Sequence, residues 1–325
     1  MAWPITFADV LGARDRIRPH LPPTPLRSYA PLDAAVGGGI RVLVKHENHC
    51  PTGAFKARNG MAVMTALGPE ERRRGVVAAT RGNHGAGLAW AGQIVGVPVT
   101  VCVPVGNNPE KNEAMRGFGA QVVEEGRDYD EAVEVADRLV RERGLRLVHS
   151  TNTPEVLAGA ATLSLEVVEQ APELDAMVLA VGGGSQAVGA LTVARERRPA
   201  LKVYGVQARG AAAIHDSWHA GAVRETRSAD TFADGIATRR PPSLTFPALQ
   251  DGLAGFVTVD DAQIAAAVRL LLRTTHNVSE GAGAAGLAGV FALRERLAGQ
   301  TVAVVVSGGN IDQETLRRVL NREIG

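Results

Sequence analysis

The feature that most restricts the fold is a regular alternation of short apolar runs and helical spacings that begins at Gly75. Strands are read at 76–79, 97–103, 121–123 and 145–148, and helices at 83–94, 109–118 and 129–143 between them. Runs this short and this apolar, each followed by a helix, pair most readily as a parallel sheet with crossover helices. After Pro154 the alternation resumes, with a helix at 160–170, a buried strand at 176–180, a helix at 187–198 and a strand at 201–206. Helices at 260–275 and 283–298 and a last buried strand at 302–306 follow, then a short helix after Asp312. Upstream lie a helix at 7–20, an extended proline-rich segment, a polar loop through Gly37-Gly38-Gly39 and a strand at 42–45. A helix over 54–67 ends at the stop signal Gly68-Pro69. The expected fold is α/β with two lobes, each an open, mostly parallel sheet flanked by helices. Residues 1–74 and 151–325 make the large domain, and 75–150 a small inserted one. Residues 221–250 form a long irregular stretch, too long for an ordinary connection and so expected to be functional.

Composition narrows the function. With 35 basic and 34 acidic side chains the net charge is +1, and no basic stripe carries interleaved aromatics, so no nucleic-acid partner is expected. The opening residues have no basic region ahead of an apolar core, and segments such as 95–105 are too short to span a bilayer. Neither a signal peptide nor a membrane partner is expected. With only two cysteines, Cys50 and Cys102, no disulfide framework is expected and a cytoplasmic location fits.

Four segments follow strands and carry chemistry. Pro51-Thr52-Gly53-Ala54-Phe55-Lys56 places a lysine in the first turn of a helix. A cation there, beside apolar neighbours and a like-signed helix end, is pushed toward its neutral amine, the form that Schiff-base chemistry requires. Gly182-Gly183-Gly184-Ser185 ends a buried strand and opens a helix, so backbone N–H groups and the Ser185 hydroxyl can bind phosphate. It lacks the G-x-G-x-x-G spacing of a dinucleotide site. Thr80-Arg81-Gly82-Asn83-His84-Gly85 offers a hydroxyl, an amide, an imidazole and helix-start N–H groups, which suit a carboxylate. Ser307-Gly308-Gly309-Asn310 turns after the last strand. Ligands of open α/β sheets bind at strand carboxyl ends, so the four segments are expected to converge.

In this order these motifs resemble the fold-type II pyridoxal-phosphate enzymes, a tryptophan synthase β-like fold, in the threonine/serine dehydratase–serine racemase branch. The resemblance runs from Thr24-Pro25-Leu26 to Asn310. It implies pyridoxal 5'-phosphate as cofactor, bound by the large domain, with Lys56 as the Schiff-base and catalytic lysine and Phe55 packed near the ring. It implies Asn83 on the ring hydroxyl, Gly182, Gly183, Gly184 and Ser185 on the phosphate, and Ser307 at the pyridine nitrogen. Thr80, Arg81, Asn83 and His84 would line the pocket for the substrate carboxylate. The implied reaction is β-elimination of water from a 3-hydroxy-L-amino acid, giving a 2-oxo acid and ammonia. A serine at the ring nitrogen leaves the ring neutral, which favours prompt loss of a β-leaving group. Threonine and serine are the default substrates; phenylserine and hydroxyaspartate stay open. Family habit points to a homodimer.

Departures from the branch sharpen this reading. Arg81 replaces a serine that protonates the opposite face in racemases; an arginine is a poor proton donor, so little racemisation is expected. Gln207-Ala208-Arg209-Gly210 lacks the carboxylates that hold a divalent cation in some relatives, so no metal is expected. Ser185 replaces a fourth glycine. No regulatory lobe follows Ser307, so feedback control is not expected. The rival readings are an amino-acid (serine) racemase on the same scaffold and a non-catalytic anion-binding protein.

Overall fold

The computed structural model describes residues 3–324. Its strands are β1 (Leu26–Ser28), β2 (Arg41–His46), β3 (Val76–Ala79), β4 (Val99–Val103), β5 (Gln121–Glu124), β6 (Arg146–Leu147), β7 (Ala176–Ala180), β8 (Lys202–Ala208), β9 (Gly255–Val259) and β10 (Thr301–Val306). They form a six-stranded sheet in the order β1-β2-β10-β7-β8-β9 and a four-stranded sheet in the order β5-β4-β3-β6. Every pairing is parallel except the edge pair of β1 with β2.

The central strands are apolar on both faces because helices cover both. On β10, Val302, Val304 and Val306 face one hydrophobic cluster and Ala303 and Val305 the other. The first cluster packs under helices Asp261–Thr275 and Gly281–Ala292, the second under Pro154–Gln170 and Ser185–Arg197. The smaller sheet repeats the pattern. Val76 and Ala78 pack with helices Lys56–Ala66 and Asn83–Val95, while Val77 and Cys102 pack beneath Tyr129–Arg143. Both cysteines are buried and free. Among the described residues no helix is long and apolar enough to cross a membrane.

The structure adds elements that periodicity did not reveal. Helices Ala30–Val36, Pro69–Arg74, Ala213–Ala220 and Phe246–Gly252 are too short to print a 3.6-residue pattern on the sequence. Gly68-Pro69 both ends one helix and starts the next, because proline at the first helical position costs no hydrogen bond. For the same reason the helix expected from 160 begins at Pro154.

Candidate active site

The register of the large sheet assembles the site. Val306 of β10 pairs with His46 of β2, so Ser307 emerges beside the loop that leads to Lys56. Two backbone hydrogen bonds then lock the segments together. Phe55 N donates to Ser307 O at 2.9 Å, and Gly309 N donates to Gly53 O at 2.9 Å. A third segment arrives through a helix crossing in which backbones touch. A Cβ on Gly60 would lie 2.1 Å from Gly87 O, and one on Gly87 2.2 Å from Lys56 O. Glycine at both positions lets helix Asn83–Val95 lie directly on Lys56–Ala66, with Asn83 and His84 at the Lys56 end.

Lys56 is the first residue of its helix, and its Nζ sits 4.6 Å from the Phe55 ring centroid. Burial pulls its pKa down to about 8, against the opposing charge of Glu280. Beneath it lies a buried ionic cluster. Arg58 Nε and Nη2 donate to Glu47 at 2.7 and 2.9 Å, and Arg58 Nη1 donates to Glu166 at 2.6 Å. Lys45 Nζ donates to the same Glu166 at 2.6 Å. Burial alone would raise the Glu47 carboxyl, but Arg58, Lys45 and Thr24 hold it below the ordinary value.

A cleft of about 1460 Å³ opens above Lys56. Phe55, Lys56 and Ser307 line it, together with Thr80, Arg81, Asn83 and His84 and the turn Gly182, Gly183, Gly184 and Ser185. Gly184 adopts φ +91°, in the left-handed region, and caps helix Ser185–Arg197. The N–H groups of that helix's first turn have no intrahelical carbonyl to reach. Thr245 Oγ1 donates to Gly183 O at 2.7 Å, engaging a carbonyl that would otherwise repel an anion. Gln186 Oε1 is buried without a protein partner. Ser307 is buried, and Arg81 is exposed at the rim.

His84 Nε2 donates to Val148 O at 3.0 Å, and burial together with the charge of Lys56 lowers its pKa to about 3. It is therefore a neutral imidazole whose Nδ1 is buried without a partner. Thr80 Oγ1 accepts from Gly82 N at 3.1 Å.

Residues that motif reading passed over also line the cleft. Glu280 contacts Asn83, and His149 lies close enough for Lys56 to lower its pKa further once burial has done so. Residues of the irregular stretch, among them Glu225, Arg227 and Arg239, form the mouth. Glu280 opens a helix of small residues, Gly281–Ala292, and its only sequence signal was an acid at a helix start. Among the described residues no group of three or more His, Cys, Asp or Glu side chains could hold a metal ion.

Comparison with known proteins places these features. The chain is 37% identical over 318 residues to an L-threonine ammonia-lyase of Thermotoga maritima, covering 98% of this chain and 79% of the relative. It is 31% identical to an L-threo-3-hydroxyaspartate ammonia-lyase of a Pseudomonas species, covering 97% and 98% of the two chains. The structure of maize serine racemase superposes with a TM-score of 0.92 at 28% identity, covering 99% of this chain and 98% of that one. The pattern of the family described as pyridoxal-phosphate dependent enzyme matches residues 17–308. Sequence, topology and the lysine-bearing cleft agree, and the chain belongs to the pyridoxal-phosphate dependent enzymes of fold type II.

Proposed function

We propose that this protein is an ammonia-lyase that eliminates water from a 3-hydroxy-L-amino acid and releases a 2-oxo acid and ammonia. The observation that carries the reading is the shared cleft, whose lining includes a half-buried amine, a glycine turn and a buried serine. These groups suit pyridoxal phosphate. The first-turn N–H groups of helix Ser185–Arg197 and the Ser185 hydroxyl supply donors for a phosphate. The partnerless Gln186 Oε1 is an acceptor, so it can receive a hydrogen bond from a donor on a ligand but gives none to a phosphate. Ser307 would present an uncharged hydroxyl to the ring nitrogen. When bound, the cofactor supplies an electron sink for negative charge at the substrate α-carbon.

The chain's own groups perform the remaining work. Lys56 would hold the cofactor through its amine, and its Nζ would take the α-proton and return a proton to the departing hydroxyl. A pKa near 8 suits both tasks, since neither protonation state is far out of reach at neutral pH. The Asn83 and His84 end of the helix, with its free N–H groups, binds the substrate carboxylate beside the Thr80 hydroxyl. His84 takes part as a neutral group. The segment at 224–243 excludes water from the mouth.

Several coarser features belong to the same proposal. Residues 75–150 form a small domain inserted between 1–74 and 151–325. The protein works in the cytoplasm, as a homodimer and without a metal. Arg81 at the rim works against a racemase, because a guanidinium cannot readily give up a proton.

A screen of 3-hydroxy-L-amino acids for ammonia and 2-oxo acid release tests the proposal. Turnover of at least one of them is expected, and Lys56→Ala is expected to lose both the yellow, borohydride-sensitive chromophore and turnover. Serine converted to its D-isomer without keto acid would defeat the lyase reading.

A further inference from the structure

Glu280 is a buried carboxyl group with an unusual set of partners. It is 5% exposed and lines both the main cleft and an adjoining cavity of about 370 Å³. Its backbone N donates to Gly308 O at 3.0 Å. A Cβ on Gly308 would lie 2.5 Å from Glu280 Oε1, so the serine–glycine turn leaves space for this carboxyl. Asn83 Nδ2 donates to Oε1 at 2.8 Å and to Oε2 at 3.1 Å. No cation pairs with it among the described residues, and Lys111, the nearby candidate, pairs with Asp234 instead.

The hydrogen bonds have a forced direction. Asn310 Nδ2 donates to Thr52 O at 2.8 Å, so that end of the Asn310 amide is a donor. It donates equally to Asn83, at 2.8 Å, which therefore presents its Oδ1 there and its Nδ2 to Glu280. An asparagine amide has two N–H donors. One is engaged by Glu280, and the other is free for a ligand in the cleft.

We propose that Glu280 is a positioning residue that fixes the Asn83 amide and, as the neutral acid, holds a proton beside the ring oxygen of the bound cofactor. The inference rests on the cofactor reading above and goes beyond it. As an acid, Glu280 accepts from Asn83 through its carbonyl oxygen and keeps an O–H to donate into the cleft. As a carboxylate, it would set a negative charge against an anionic ring oxygen in a site of low dielectric. The groups that face it decide which form prevails. Burial first, and then Asp234 from the turn Asp234–Ile236, raise its pKa to about 7. Asn83, Lys111 from helix Pro109–Gly117 and Lys56 from its own helix pull the other way. The acid form therefore dominates below neutral pH and the carboxylate above it.

The test is a titration of the visible absorption of the cofactor-loaded protein from about pH 5.5 to 9, with cofactor affinity measured at both ends. In the wild type a spectral change centred near neutrality is expected, with affinity falling about fivefold across it. Glu280→Gln, an uncharged stand-in for the acid, should keep the low-pH spectrum and affinity throughout. Glu280→Asp, which still titrates, should retain a change at a shifted midpoint, and far-ultraviolet circular dichroism checks that each variant is folded. A Glu280→Gln protein that titrates like the wild type overturns the inference, as does a Glu280→Asp protein that folds and loads but shows no transition. A wild type that never develops a borohydride-sensitive band overturns the cofactor reading instead.

Discussion

At the scale of single residues, the lysine was legible and its electrostatic partner was not. The apolar approach and the helix start mark Lys56 as a depressed amine, and the structure attributes the depression first to burial, with Glu280 opposing it. A pKa near 8 has a kinetic consequence. Only the neutral amine attacks an aldehyde, and below the pKa its fraction rises about tenfold per pH unit. In cofactor-free protein, the rate of imine formation with pyridoxal phosphate should climb between about pH 6 and 8 and then level off. Stopped-flow absorbance measures this directly, and a rate still climbing at about pH 10 would mean an ordinary, solvated lysine. Glu280 escaped notice because it is far from Lys56 in sequence and precedes a helix of glycine and alanine that carries no motif. Its contacts exist only after folding, when β10 delivers Gly308 and helix Asn83–Val95 delivers Asn83. Arg58 escaped for a related reason. An arginine two residues past the lysine reads as an exposed helix residue, yet it is 1% exposed and bound by Glu47 and Glu166.

At the scale of elements, the long helices were legible from periodic burial and most strands as short apolar runs, while β1 and β9 were not anticipated. Helix Tyr129–Arg143 buries Ala132, Val135, Ala136 and Leu139, a 3.6-residue stripe visible in the sequence itself. Strand Ala176–Ala180 is an unbroken apolar run bounded by turn signals. What periodicity cannot express is the distance between two helices. The crossing of Lys56–Ala66 with Asn83–Val95 depends on Gly60 and Gly87, and single glycines within helices give no hint of their partner. Gly60→Ala tests this contact. Its methyl group would fall 2.1 Å from a backbone carbonyl, which a rotamer change cannot relieve. The helices must part, at a cost of about 3 kcal/mol or more, at the upper end of overpacking costs. Because Asn83 rides on the second helix, the variant should lose cofactor affinity as well as melting temperature. Thermal melts of the cofactor-free protein separate the two effects. A Gly60→Ala protein with wild-type stability would show that the backbones are not in contact.

At the scale of the whole molecule, the alternation of strands and helices foretold parallel sheets, and both sheets are parallel apart from one edge pair. The connection across the cleft was visible only as an irregular stretch without a stated partner. In the structure this segment reaches from the large sheet to helices that flank the small one. Lys111 pairs with Asp234, and Arg239 pairs with Asp130. The second pair is open to solvent on both sides, at 45% and 63% side-chain exposure, so it contributes little to folding. It can still bias how closely the tip of the segment lies over the mouth, alongside the bonds that tie Asp230 to Gly210 and Thr231 to Asp261 further back. Asp130→Asn removes this pair and leaves Glu280 and its neighbours alone, which a change at Asp234 would not. The global melting temperature should stay within about 3 °C of the wild type. Limited proteolysis within 224–243 should quicken, and KM should rise more than kcat falls, because substrate binding and not the proton transfers depends on a closed mouth. Added salt should raise KM in the wild type and have less effect in the variant, since screening already weakens an exposed pair. If neither the cleavage rate nor the salt dependence differs between the two proteins, the Arg239–Asp130 contact is incidental, and closure must be sought in the better shielded pair of Lys111 with Asp234.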